Sequence, residues 1–345
     1  MSINLRSDTQ TMPTEEMLDV MRNAQLGDDV FGEDPTVNRL EKLSADRLGK
    51  EAALFVSSGT MGNLCALMSH TQPGDEVILE KESHIYYYEV GGFSRIAGLS
   101  PRLVPSINGI MNLENIKSVL RPADIHFPAP SLLCLENSHN RGGGTIYSVE
   151  QMDEISNFAH DLNFKVHVDG ARIFNAAVAL GVDVKRLVKE IDSVMFCLSK
   201  GLSAPVGSVL VGSKLFITKA RKARKLLGGG MRQAGVLAAA GIIALEKMVD
   251  RLKEDHLNAR YIAEELKNTA GLDVDLDSVQ TNMVYCNTGQ LKVSPEEFVV
   301  QLNQEGVQVL PMPPNKIRIV VNRHISQEDA IEAVRIIKKI TAKNI

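Results

Sequence analysis

Between residues 50 and 212, short apolar runs rich in Val, Leu and Phe alternate with stretches of helical period. Strands of a parallel sheet read this way because helices cover both of its faces and every position is buried. The windows 52–56, 76–79, 102–104, 131–136, 164–168, 193–198 and 207–211 are the expected strands, each lying where a crossover helix can return the chain. Asn63 to His70 and Val149 to Asp161 are two such helices, the second preceded by Ser148 as its N-cap. From Gln233 to about Lys267 the pattern is helical, Ala-rich and then charged, with His256 and Asn258 marking a break. Past Gly271 it reads strand (283–286), helix (295–305), strands (307–310 and 317–321) and helix (326–340). The expectation is an α/β protein with three parts. An irregular arm with a short helix at 14–23 covers residues 1–35, a large doubly wound domain with a mostly parallel sheet covers 36–248, and a smaller α/β domain covers 249–345.

Composition narrows the function. With 345 residues, 44% hydrophobic, the chain has ample core for roughly two domains. Its 38 Lys and Arg against 42 Asp and Glu, spread without a basic face, argue against nucleic acid as a partner. The longest uncharged apolar run, Ala234 to Leu245, is too short for a membrane span, and the opening residues lack a signal-peptide apolar core. A soluble, cytoplasmic protein is expected. Cys65, Cys134, Cys197 and Cys286 are far apart and read as reduced, mostly buried residues.

Ligands of an open parallel sheet bind beyond the carboxyl ends of its strands, so polar residues just after strand-like runs carry the interest. Ser57-Ser58-Gly59-Thr60-Met61-Gly62-Asn63 follows one strand and opens a helix. Free N–H groups there suit one phosphate, although an ordinary N-cap uses the same residues. With neither a Walker loop nor a dinucleotide glycine fingerprint at that place, a phosphorylated cofactor smaller than a nucleotide fits better. Asp169 closes the run from Phe164 and precedes Gly170-Ala171-Arg172. It reads as the partner of Arg172, as a helix cap, or as the partner of a protonated heteroaromatic nitrogen. Lys200 ends the run from Val194 and leads into a Gly-rich loop. A lysine there faces the interior, where desolvation favours the neutral, nucleophilic amine that a Schiff base requires. The basic cluster Arg224 to Gln233, around three glycines, is either a solvated helix end or a source of cations for a phosphate. Phosphate cradle, strand-end Asp and strand-end Lys together suit pyridoxal 5'-phosphate.

Of the eight histidines, His84, ahead of Ile85-Tyr86-Tyr87-Tyr88, and His126 lie in loops of the large domain near other unusual residues, with His139 a lower-ranked candidate. No set of histidines and carboxylates has metal-ligand spacing, and no metal is expected.

These residues resemble the pyridoxal-phosphate-dependent threonine aldolases, of the aspartate-aminotransferase-like fold type I class. The resemblance covers nearly the whole chain. Its motifs include Leu5-Arg6-Ser7-Asp8-Thr9, Gly27-Asp28-Asp29-Val30, Ser58 to Asn63, His126 and Leu135 to Asn140. They continue with His167 to Arg172, Ser199 to Leu202, Ala204 to Ser208, and Gly228 to Gln233. Ser138 stands where the family more often has Thr. The resemblance implies that Lys200 holds the cofactor covalently, Asp169 pairs with its ring nitrogen, His84 stacks on the ring, and Ser58, Gly59 and Thr60 bind its phosphate. Arg172 and Arg318, with Ser7 assisting, would clamp the carboxylate of a β-hydroxy amino acid. Lys225 and Arg232 would reach a phosphate across a subunit boundary, in a dimer that is usually half of a tetramer. The implied reaction is cleavage of L-threonine or L-allo-threonine to glycine and acetaldehyde, with His84, His126 or a water they position as the base. The nearest alternative is another enzyme of the same fold, an aminotransferase or a β-eliminating lyase. Aminotransferases commonly place a Tyr where this chain has Arg172. A catalytically silent cofactor-binding protein would need no arginine clamp.

Overall fold

A fully buried strand needs apolar side chains on both faces, and the expected strand windows supply them. The computed structural model describes residues 2–122 and 124–345, with Met1 and Ala123 outside it. In chain order its strands are β1 (Ile3–Asn4), β2 (Ala52–Val56), β3 (Glu76–Glu80), β4 (Ser100–Val104), β5 (Pro130–Glu136), β6 (Lys165–Asp169), β7 (Ser193–Cys197) and β8 (Ser208–Gly212). They continue as β9 (Asp273–Val274), β10 (Met283–Asn287), β11 (Val307–Gln308), β12 (Leu310–Met312) and β13 (Lys316–Val320).

The large sheet runs β2-β8-β7-β6-β5-β3-β4. β4, β3, β5, β6 and β7 are parallel neighbours, whereas β8 is antiparallel to both β7 and β2. The expectation of a crossover before every strand therefore fails at β8. Only residues 198–207 separate it from β7, too few for the dozen or more a parallel return takes. Helices on the two faces bury a core running from Val37 and Leu40 through Leu133, Val168, Phe196 and Val211 to Leu245.

A second apolar cluster joins Ala259, Ile262, Leu266, Val284, Phe298, Ile319 and Ile337 with Ile3 and Leu5 of the arm, around the antiparallel sheet β12-β13-β10-β9. The window 307–310, expected as one strand, is two. Val307–Gln308 pairs in parallel with β1, and the chain then changes sheets at Val309 so that Leu310–Met312 pairs with β13. Nor does the helix break at His256 and Asn258. The interruption falls between Gly235–Lys247 and Leu252–Lys267, and both polar residues stay helical because tertiary partners take them. Asn175 Nδ2 meets His256 Nε2 at 3.1 Å, and Asn258 Nδ2 donates to Ile325 O at 3.0 Å. All four cysteines are free and buried. Among the described residues no helix is long and apolar enough to cross a membrane.

Candidate active site

The carboxyl ends of β5, β6 and β7 deliver Glu136, Asp169 and, just beyond β7, Lys200 to one rim of the large sheet. The arm and β12–β13 of the second sheet close over that rim. The resulting cleft, of about 330 Å³, is lined by Ser7, Thr9, His84, Tyr88, Asn140, Arg172, Lys200, Leu310, Met312 and Arg318.

Asp169 is almost fully buried, yet both of its oxygens are served. Asn63 Nδ2 donates to Oδ2 at 2.9 Å and the Ala171 N–H to Oδ1 at 3.1 Å. The other N–H of Asn63 goes to Glu89 Oε1 at 2.7 Å, and the same oxygen meets His84 Nδ1 at 2.9 Å. A ring nitrogen of His84 and one carboxyl oxygen each of Glu89 and Asp169 thus lie within 4.8 Å of one another. Burial works against a charged His84, but the hydrogen bond to Glu89 and the charges of Asp169, Glu89 and Glu136 outweigh it and raise its pKa above the ordinary histidine value. Glu89 is raised by burial, with the Asp169 charge adding to it, and its Oε2 has no partner among the described residues. Glu136 fixes the backbone around this group: the His84 N–H donates to its Oε2 at 2.6 Å and the Asn140 N–H to its Oε1 at 2.8 Å.

The two arginines are held differently. Arg172 is buried and sends Nε and Nη2 to the two oxygens of Asp8, both at 2.7 Å, which leaves Nη1 for the cleft. Burial alone would raise the Asp8 carboxyl, but the Arg172 guanidinium prevails and holds it below the usual carboxylate range. Arg318, on β13, donates from Nη1 to Asn140 Oδ1 at 3.2 Å and from Nη2 to the Arg6 carbonyl at 3.1 Å. The main chain at Lys200 is tied to the arm, since its carbonyl accepts from Thr11 Oγ1 at 2.8 Å. Ser7 Oγ accepts from the Thr9 N–H and hydroxyl at 3.2 and 2.8 Å.

The helix Gly59–His70 begins at the same rim. Ser58 Oγ accepts from the Met61 N–H, and the N–H groups of Gly59 and Thr60 find no acceptor among the described residues. A Cβ at Gly59 would stand 3.1 Å from Cys197 Sγ and 3.2 Å from Met195 Cε, so glycine lets the helix end approach β7 closely.

Three residues singled out in the sequence stand apart from this cleft. His126 does not line it: its ring is 76% exposed and Nδ1 pairs with Asp124. Lys225 and Arg232 are exposed, and Arg232 Nη1 meets Asp28 Oδ2 at 3.1 Å. Other residues packed around the cleft are not marked by the sequence. Asp8 and Asn63 lie inside motifs that were recognised but drew no role of their own, and Glu89 follows the tyrosine run with nothing local to mark it.

A mostly parallel, helix-covered sheet with a strand-end Asp, a strand-end Lys and a glycine-led helix terminus at one rim defines an enzyme of the fold type I class. More narrowly, the chain belongs to the threonine aldolases within the beta-eliminating lyase family, whose model, described as "Beta-eliminating lyase", matches residues 4–288. It is 48% identical over 344 residues to the probable low-specificity L-threonine aldolase 2 of Arabidopsis thaliana, covering 98% of this chain and 97% of that one. It is 42% identical over 331 residues to the low specificity L-threonine aldolase of Escherichia coli K12, covering 96% of each. The solved structure of Leishmania major threonine aldolase superposes with a TM-score of 0.85 at 18% identity, over 98% of this chain and 99% of that one, and so supports the fold.

Proposed function

We propose that the protein is a pyridoxal-phosphate-dependent carbon–carbon lyase that splits L-threonine, L-allo-threonine or both into glycine and acetaldehyde. The observation that carries this reading is the convergence of Lys200, His84, Arg172 and Arg318 on one cleft, with the buried Asp169 beside His84.

The donor set suits the cofactor. Lys200 offers the only amine lining the cleft among the described residues, Asp169 offers an ionic acceptor kept in place by Asn63, and Gly59 and Thr60 offer free N–H groups for a phosphate. Bound there, pyridoxal phosphate supplies a sink for the electron pair released at Cα. Arg318 and the free Nη1 of Arg172 bind the substrate carboxylate, and Ser7 lies beside them. With the carboxylate fixed, the Cα–Cβ bond is the one left to be oriented for cleavage. His84 takes the β-hydroxyl proton, and its bond to Glu89 holds the ring and stabilises the charge it gains. His126 would have to act from outside this cleft, so His84 is the proposed base.

Lys225 and Arg232 belong to the same proposal as cations that complete a phosphate site in a second copy of the chain, within a dimer of dimers. Their outward placement supports this. Mixed oligomers of Lys200→Ala and Arg232→Ala subunits should then regain activity.

Incubation with each threonine isomer and no 2-oxo acid acceptor tests the reaction class. Acetaldehyde and glycine in equal amounts are expected. Amino transfer that depends on an acceptor, with no acetaldehyde from either isomer, would replace the aldolase reading with an aminotransferase.

A further inference from the structure

A line of polar side chains, buried except for the half-buried His70 at its far end, crosses the large sheet behind Asp169. Asn63 and His70 sit two turns apart on one helix, and His167 and Ser193 are register partners on β6 and β7, so the four meet between helix and sheet. Their hydrogen bonds have only one consistent direction. Asn63 Nδ2 lies 2.9 Å from Asp169 Oδ2 and 2.7 Å from Glu89 Oε1, and an amide nitrogen only donates, so both of its N–H bonds are spent on these two groups. Its Oδ1 is then the end that meets His167 Nε2 at 3.1 Å, and an amide oxygen only accepts, so Nε2 carries the proton. His167 is fully buried, and that burial, against the pull of the Asp169 charge, takes its pKa down to about 4. It is therefore neutral near pH 7, with a bare Nδ1. The Ser193 hydroxyl, 2.9 Å away, must donate to that Nδ1. The same hydroxyl meets His70 Nε2 at 2.8 Å, and having given its one proton it accepts there. His70 stacks on Phe216 with ring centroids 4.3 Å apart, beside a cavity of about 390 Å³ that Lys165, Asp192 and Lys219 also line.

We propose that His70, Ser193 and His167 are positioning residues that lock the Asn63 amide, so that it presents both N–H bonds, and never its oxygen, to Asp169 and Glu89. A reversed amide would set an oxygen at 2.7 to 2.9 Å from two carboxylates. Locked, Asn63 keeps Asp169 an aimed acceptor and leaves Glu89 free to hold His84. The consequence for the cofactor rests on the function proposed above, whereas the direction of the relay does not.

The test reads histidine tautomers by two-bond ¹⁵N–¹H correlation in the ¹⁵N-histidine-labelled chain at pH 7, without and with pyridoxal phosphate. Nε2–H is expected at both His70 and His167. Ser193→Ala should mix the tautomers of His167 and raise the pyridoxal phosphate dissociation constant in equilibrium dialysis about threefold to tenfold, the worth of one hydrogen bond. Ser193→Thr should restore both. An Nδ1–H tautomer on wild-type His167, or an imidazolium at pH 7, overturns the proposal whether or not the variants fold. So does a Ser193→Ala chain whose His167 tautomer is unchanged. Nε2–H at both rings in a chain that binds no pyridoxal phosphate would uphold the relay while defeating the cofactor reading.

Discussion

Asp169 and Lys200 were legible because each ends an apolar run, and a charge at the end of a buried strand has to serve something. Asn63 was not, because its partners Glu89 and Asp169 are 26 and 106 residues away, and Glu89 was not, because a five-residue spacing to His84 does not by itself signal a contact. Glu89 matters through what it does to His84. Since burial is outweighed by the carboxylates around it, His84 holds its proton above pH 6.5, and the acidic limb of kcat/KM for threonine cleavage should lie above that value. Glu89→Gln keeps an acceptor but removes the charge, so the limb should move down toward 6.5. Initial rates from pH 5.5 to 9 on both proteins check this, and an unmoved limb would take Glu89 out of the account. Arg318 is oriented by Asn140 and the Arg6 carbonyl, and in the proposed mechanism its planar fork meets the substrate carboxylate. Arg318→Lys keeps the charge and loses the fork, so kcat/KM should fall roughly a hundredfold, about 3 kcal/mol, mainly through KM. Steady-state kinetics with near wild-type efficiency would remove Arg318 from the clamp.

At the scale of elements, the β8 window was foreseen to within a residue but its direction was not, because direction depends on how short residues 198–207 are and not on the composition of the strand. The arm was the hardest element to read. It has no periodicity, and what orders it is distributed: β1 pairs with β11, the Leu5 carbonyl accepts from the Val320 N–H, and Asp8 takes the fork of Arg172 at the end of β6. That ion pair is buried on both sides, so removing one partner leaves an uncompensated charge beside the substrate cleft. Asp8→Ala should therefore cost roughly 3 to 5 kcal/mol of stability and release Arg172 from its aim. Chemical denaturation and the Michaelis constant for threonine measure the two consequences. A variant as stable as the parent would mean that the arm is held by its backbone pairing alone.

For the whole molecule, the helix Leu252–Lys267 joins the two apolar clusters, Leu252 packing in the first and Ala259 to Leu266 in the second. Its sequence suggested a break at His256 because an imidazole in mid-helix has no evident partner. Its partner is Asn175, on the helix Ile173–Leu180 that packs in the first cluster. Since an amide nitrogen only donates, His256 Nε2 must accept, and a protonated ring would lose the bond. Burial takes its folded-state pKa down to about 4, against about 6.5 in the unfolded chain. The sign follows from proton binding. Between these values the unfolded chain binds the extra proton, so this residue's contribution to stability is complete above pH 6.5 and is lost as the pH falls toward 4. At pH 5 the loss is about 2 kcal/mol by the same linkage. Other buried groups titrate in this range with both signs, so the contribution has to be isolated by difference. His256→Gln keeps an acceptor for Asn175 without a titrating proton, and should narrow its stability gap to the wild type, or overtake it, on going from pH 7.5 to 5. Urea midpoints for both proteins at the two pH values decide it, and parallel shifts would show that His256 does not titrate at this seam.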